Sequence, residues 1–173
     1  MSDTKQCSKC RKDKQLTHFY RKGKKRQSQC IKCENSRRLK KCKECLTEFT
    51  PSGRISAYCV TCYPAQRRAS SLLSASRSRA NKQNLSSSLT KEWIVERIRN
   101  PCPRTGVTFD LKSESTGYGD RGPYIPSLDK IDPSGGYTAD NVQVVCWWYN
   151  AAKQRFTDNE VMDLCKKVVQ RAG

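Results

Sequence analysis

Long apolar runs are absent from this sequence. Hydrophobic residues make up 35% of its 173 positions, and the mean hydropathy is -0.84. So little apolar material argues against one large core and for small modules held by metals or disulfides. No stretch reaches the ~20 residues a membrane helix needs. The opening residues MSDTKQCSKC lack the apolar run of a secretory leader. The expected setting is therefore cytoplasmic, with no membrane partner, where paired cysteines read as metal ligands before disulfides. Histidine is scarcer still, and His18 is the single one. Beside so many thiols it is redundant as a zinc ligand, so packing or a phosphate contact is its expected role.

Acidic residues are few as well, 16 against 34 Lys and Arg, for a net charge of +18. Residues 1–83 hold 22 basic and 5 acidic side chains, while the remainder is close to neutral. Two four-thiolate zinc sites would each add about -2, which still leaves the first half strongly positive. A polyanion suits such a surface, nucleic acid first. A merely solvated surface is the plainer alternative, but it would not need the charge gathered in one half.

What the chain does have is cysteine, 11 in all. Eight form four Cys-x-x-Cys pairs: Cys7 and Cys10, Cys30 and Cys33, Cys42 and Cys45, Cys59 and Cys62. Each pair can aim two thiolates at one tetrahedral ion, and two pairs complete a shell, so two structural Zn2+ are expected. Sequential pairing is the simplest arrangement, and a cross-brace of the first pair with the third is the alternative. Modules this small fold largely through their metal. Cys102, Cys146 and Cys165 lack the paired spacing and read as small buried residues.

The expected division is a zinc module over 1–36, a second over 37–63, a basic helix or linker over 64–84, and a C-terminal domain over 85–173. Basic residues mark candidate nucleic-acid contacts along the first three. Arg21, Lys22, Lys24, Lys25 and Arg26 follow Phe19 and Tyr20, and Arg37 and Arg38 lie between the modules. Phe19 reads as the first module's small core. The spacing of Ala65, Ala69, Leu72, Leu73 and Ala80 predicts a helix over about 64–82, bearing Arg67, Arg68, Arg77 and Arg79. Thr90 is expected to cap a helix from Lys91 to Arg99.

The stretch 126–153, PSLDKIDPSGGYTADNVQVVCWWYNAAK, organises the rest. It reads as a short extended run to Asp132, a Pro-Ser-Gly-Gly turn, an alternating strand over Val142 to Cys146, and a helix from Trp147. Asn150 inside that helix is hard to explain by stability alone. Asp129, Asp132 and Asn141 could be ordinary strand-end and turn residues. Lys153 lies one turn beyond Asn150 and could reach a phosphate or remain solvated. The loop 117–122 could lie over the resulting cleft. Thr157-x-x-Glu160 is a capping box, opening a helix whose Val161, Leu164, Cys165 and Val168 are expected to pack on the domain core.

On these residues, together with RSRANKQNLSSSLTKEWI and CPRTGVTFDL, the chain resembles the phage-type HNH (ββα-metal) endonucleases. Its first module, CSKCRKDKQLTHFYRKGKKRQSQCIKC, resembles the zinc knuckles of recombination endonuclease VII-like proteins. The resemblance implies a small α+β chain: two four-cysteine zinc modules, a basic linker helix and a C-terminal ββα-metal (HNH-like) nuclease domain. It implies a phage-encoded protein in a bacterial host that hydrolyses DNA, duplex or branched, with one catalytic Mg2+ or Mn2+. Carried over by position, Asp129 and Asn150 are the metal ligands and Asn141 braces the loop. Lys130 stands where the family has its general-base His. Either the metal and burial free Lys130 to take a proton, or its charge stabilises the phosphate and the base is Asp132, Tyr137 or hydroxide. A non-catalytic nucleic-acid-binding protein with a degenerate fold is the alternative function, and a RING-like interaction module fits less well. A homodimer is one of the oligomeric states left open.

Overall fold

The computed structural model describes residues 3–37, 39–51, 57–112 and 122–172, and divides the chain into two compact units, Met1–Tyr63 and Pro64–Gly173. The expected loop over 117–122 falls outside the described residues except for Gly122, as does Arg38, and of Arg37 only the backbone is described.

The first unit is built twice from one plan. Hairpin β1 (Thr4–Gln6) and β2 (Asp13–Gln15), hairpin β3 (Arg21–Lys22) and β4 (Lys25–Arg26), and α1 (Ile31–Arg37) make the first copy. Hairpin β5 (Lys40–Lys41) and β6 (Glu48–Phe49) begins the second. In each copy the first cysteine sits in a tight turn. Cys7 N donates to Lys12 O and Arg11 N to Cys7 O; Cys42 N donates to Thr47 O and Leu46 N to Cys42 O. The fifth residue of each turn takes the left-handed conformation, Arg11 at φ 53° and Leu46 at φ 59°. Each third cysteine then donates its backbone N–H to the first one's sulfur, Cys30 at 3.2 Å and Cys59 at 3.3 Å. Phe19, 1% exposed, packs on Cys7 and Cys30 and is the first copy's apolar centre.

The second unit runs α2 (Tyr63–Gln83), α3 (Lys91–Ile98), β7 (Pro126–Lys130), β8 (Val142–Cys146), α4 (Trp147–Lys153) and α5 (Asp158–Ala172). Segment 64–84, expected as a linking helix, gives Ala65, Ala69, Leu73 and Ala80 to the core shared with Ile94, Leu128, Val144 and Tyr149. Small residues on one face let the helix approach closely, while Arg67, Arg77 and Arg79 stay exposed. Thr90 caps α3, its side chain accepting from Trp93 N. Strands β7 and β8 pair antiparallel with Asp129 opposite Gln143. Their connection closes against the segment at Ser86–Ser88, where Tyr137 N donates to Ser86 O and Ser88 N to Tyr137 O. Gly136 is required there, because a Cβ would stand 2.7 Å from the Ser86 carbonyl oxygen.

Two expectations about side-chain placement change. Strand β7 stops at Lys130, short of the extended run expected to Asp132, so strand alternation does not carry Lys130 and Asp132 onto one face. Asp132 turns back instead, its Oδ1 accepting from Ser134 N and Ser134 Oγ, an Asx turn that competes with strand extension. Helix α5 is capped as expected, with Thr157 N donating to Glu160 Oε2 and Glu160 N to Thr157 Oγ1. Its apolar stripe is another matter. Only Val161 is buried, while Leu164 is 62% and Val168 60% exposed.

Candidate active site

The eight paired cysteines gather into two clusters, Cys7, Cys10, Cys30 and Cys33 in one and Cys42, Cys45, Cys59 and Cys62 in the other. Pairing is sequential, and the cross-brace is excluded. Within each cluster the sulfurs lie within 4.8 Å of one another, which accommodates the ~3.8 Å sulfur spacing of a tetrahedron with ~2.3 Å Zn–S bonds. Burial pushes the Cys7 and Cys42 thiols up. Backbone N–H groups, chiefly of Cys10 and Cys30 for Cys7 and of Cys45 and Cys59 for Cys42, outweigh it and bring both down to about 6. Burial and the neighbouring thiols push Cys33 up to about 12. Four crowded thiols do not all ionise unaided, and a dication is what such a donor set suits.

Cys102 and Cys146 repeat this turn without the second ligands. Cys102 N donates to Val107 O and Gly106 N to Cys102 O, with Gly106 at φ 69°. Cys146 N donates to Cys102 Sγ at 3.3 Å. Thr105 and Tyr149 occupy the positions that Cys10 and Cys33 hold in the first cluster. A hydrogen-bonded pair thus stands where the first unit has four thiols. The sequence carries the signal: Cys102-x-x-Thr105-Gly106 has the turn spacing of Cys7-x-x-Cys10-Arg11.

An open cleft of about 560 Å3 lies over β7 and α4, lined among others by Asp129, Lys130, Tyr137, Asn150 and, from α2, Arg79. The strand sets Asp129 into it, 4% exposed. The Asp129 carboxylate already has partners. Lys153, 0% exposed, donates from Nζ to Asp129 Oδ1 at 3.1 Å, Oδ2 at 2.9 Å and the Lys130 carbonyl at 2.9 Å. These three bonds occupy the buried ammonium, which neither reaches out for a phosphate nor remains solvated, the two alternatives its sequence position offers. Gln143, opposite on β8, donates to Asp129 Oδ2 at 2.8 Å. The same Gln143 Nε2 lies 3.3 and 3.2 Å from the two carboxylate oxygens of Asp158, which also pairs with Arg104 and accepts from Tyr149 OH at 2.6 Å. Burial and then the Asp158 bond push the Tyr149 phenol well above its ordinary range, so it remains a donor.

Asn150 donates through Nδ2 to Ser127 Oγ at 2.7 Å and to the Leu128 carbonyl at 3.0 Å, which fixes the amide and turns Oδ1 away from both. Asn141 closes the β7–β8 connection, accepting from Asp132 N and donating to the Asp132 and Gly136 carbonyls. Lys130 Nζ donates to the Pro133 and Gly135 carbonyls and lies 5.4 Å from the Tyr137 ring centroid. It is engaged in holding the loop. Asp132 does not line the cleft. The Ser134 hydroxyl, the Ser134 N–H and the charge of Lys130 hold its carboxyl below the ordinary range.

Of the basic candidates, Arg79 is the one that lines this cleft. Its Nε donates to Tyr137 OH at 2.9 Å and its guanidinium lies 5.4 Å from that ring. Arg21, Lys22, Lys24 and Lys25 are exposed on the β3–β4 hairpin, while Arg26 is half-buried and donates to the Phe19 carbonyl. Arg67 and Arg77 are exposed along α2, and Arg68 is half-buried.

No protein-family profile matches the chain, and no curated protein matches it. Among solved structures it is similar to the rare-cutting HNH restriction endonuclease PacI, at 19% identity and a TM-score of 0.44. The alignment covers 76% of this chain and 94% of that one.

A divalent ion at Asp129 and Asn150 is compatible with the donors present. A carboxylate offers about four lone-pair sites. Lys153 and Gln143 take three, leaving one on Oδ1. With Asn150 Oδ1 and an open cleft for water, this is the sparse oxygen set that Mg2+ accepts while keeping most of its hydration. The cost is charge: Lys153 already neutralises Asp129, so a dication there would meet less negative charge than at a bare carboxylate.

Proposed function

We propose that the chain is a metal-dependent DNA endonuclease of the HNH type, with its reaction in the cleft of the second unit and its zinc-bearing unit contacting the duplex. One observation carries the reading: Asp129, Asn150, Lys130 and Arg79 converge on one open cleft over a β7–β8–α4 unit. Asp129 and Asn150 would hold Mg2+ or Mn2+, and the ion when bound supplies charge stabilisation to the scissile phosphate and the leaving oxygen. Arg79 has its Nε spent on Tyr137 and its terminal nitrogens left for a phosphate, which it can grip in the bidentate manner of a guanidinium. Lys130 adds positive charge at the loop edge. Lys130 is engaged by the Pro133 and Gly135 carbonyls, Asp132 does not line the cleft, and the Tyr137 hydroxyl accepts from Arg79. Hydroxide from solvent is therefore taken as the nucleophile, with a rate that climbs with pH.

DNA binding by the first unit is supported by its hairpin. Arg21 stands opposite Arg26 and Lys22 opposite Lys25. Like charges across a ladder are destabilising, and a phosphate backbone turns that liability into affinity.

The test is supercoiled plasmid with Mg2+ or Mn2+. Nicking by the parent, abolished in Asp129→Ala and Asn150→Ala, is expected. The alternative, a DNA-binding protein without catalysis, draws on the Lys153–Asp129 pair, which can be read as a filled metal position. Retained binding with no nicking on any DNA would establish that alternative.

A further inference from the structure

The exposed stripe of α5 is the feature of the second unit that neither catalysis nor the core absorbs. Val161, Leu164, Cys165, Val168 and Ala172 recur at helical spacing and form one face. Among the described residues, only Val161 and part of Cys165 join α5 to the unit's own core. The rest of the face forms one wall of an apolar groove of about 620 Å3, with Trp148 and Phe156 on the side of α4. Trp148 is 52% and Phe156 49% exposed. A continuous apolar surface on a chain otherwise this polar marks a contact surface.

The charges on α5 indicate what covers it. Acidic residues Asp158, Glu160 and Asp163 occupy its first half, and basic residues Lys166, Lys167 and Arg171 its second. Glu160 and Arg171 lie about three turns apart on the same flank of the stripe. An antiparallel copy of the same helix therefore sets Glu160 of one chain beside Arg171 of the other, twice, while its apolar stripe closes the groove. A parallel copy would set like charges together. A uniformly acidic or basic partner would match only one half.

We propose that α5 is the two-fold interface of a homodimer, the stripe of each chain seated antiparallel in the α4–α5 groove of its partner. Cys165, central in the stripe, then lies near the two-fold axis and close to its own copy. The proposal does not rest on the nuclease reading, because it is read by mass rather than by cleavage.

The test is sedimentation equilibrium of the zinc-loaded full chain, with Leu164→Glu and Val168→Glu beside it and far-UV circular dichroism as a check on folding. Dimerisation in the parent is expected, weakened by about a hundredfold or more in each variant because each buries two glutamates per interface. A short bismaleimide should join the parent's chains, and the product should disappear in Cys165→Ser. Arg171→Glu, which would set two acidic side chains together, should weaken the dimer. A parent that stays monomeric at about 100 µM overturns the proposal. So does a dimer indifferent to Leu164→Glu, or cross-linking that survives Cys165→Ser. If Leu164→Glu unfolds the isolated chain, the face is covered within the chain and the proposal also fails.

Discussion

Replacing Lys153 by Met tests the least expected feature of the cleft. The Lys153 and Asp129 side chains are 1% and 4% exposed and meet at 2.9 Å. Met keeps much of the length and packing of Lys but removes the ammonium. It leaves Asp129 buried with one amide partner, Gln143, and leaves the Lys130 carbonyl without this donor. Breaking a buried pair by deleting one partner costs about 3–5 kcal/mol. Urea unfolding followed by tryptophan fluorescence measures it cleanly, because Trp93, Trp147 and Trp148 all lie in the second unit and no Trp lies in the first. Two further results should accompany the loss. Adding Asp129→Asn should recover most of it, since the uncompensated charge is then gone. Mn2+ should stabilise Lys153→Met more than the parent, approaching about 2.7 kcal/mol at a hundredfold excess over its dissociation constant. A Lys153→Met variant within about 1 kcal/mol of the parent would refute the assignment, since surface changes fall in that range.

Chelation should unfold the first unit and leave the tryptophan signal nearly unchanged, because the two cysteine clusters and the Trp residues lie in different units; limited proteolysis would locate the loss. Gly136→Ala should cost about 1–3 kcal/mol by urea unfolding, because its Cβ would meet the Ser86 carbonyl. The lowered Asp132 carboxyl contributes order to the loop above its ordinary titration range. That contribution should disappear as pH falls through the lowered value, seen as a lower protection factor for the Ser134 amide; Asp132→Ala, which removes the acceptor, should show the low protection at every pH.

The zinc clusters are legible in the sequence because a Cys-x-x-Cys turn is local, and sequential pairing needs only short connections between turns. Strand β8 is legible because Val142, Val144 and Cys146 alternate with Gln143 and Val145. The end of β7 is not. Asp132 can extend a strand or close an Asx turn on Ser134, and Asn141 decides between them from nine residues away. Lys153 reads as a surface residue because lysines are seldom fully buried. Its partner, Asp129, is 24 residues distant, beyond anything helical spacing reveals. Amphipathicity in α5 establishes that one face avoids water without indicating what covers it. Cys102 and Cys146 read correctly as buried, but the turn they share with the zinc cysteines is hidden by Thr105 and Tyr149 at the other two positions.

The central claim is that Asp129 and Asn150 together hold one divalent ion in the cleft. Mn2+ titration followed by electron paramagnetic resonance, run on zinc-loaded protein alongside cleavage of supercoiled plasmid, tests it most directly. One weakly bound Mn2+ per chain is expected, with binding and nicking rising together and both lost in Asp129→Ala and Asn150→Ala. Nicking that persists without divalent ion, or Mn2+ binding unchanged in both variants, would contradict it.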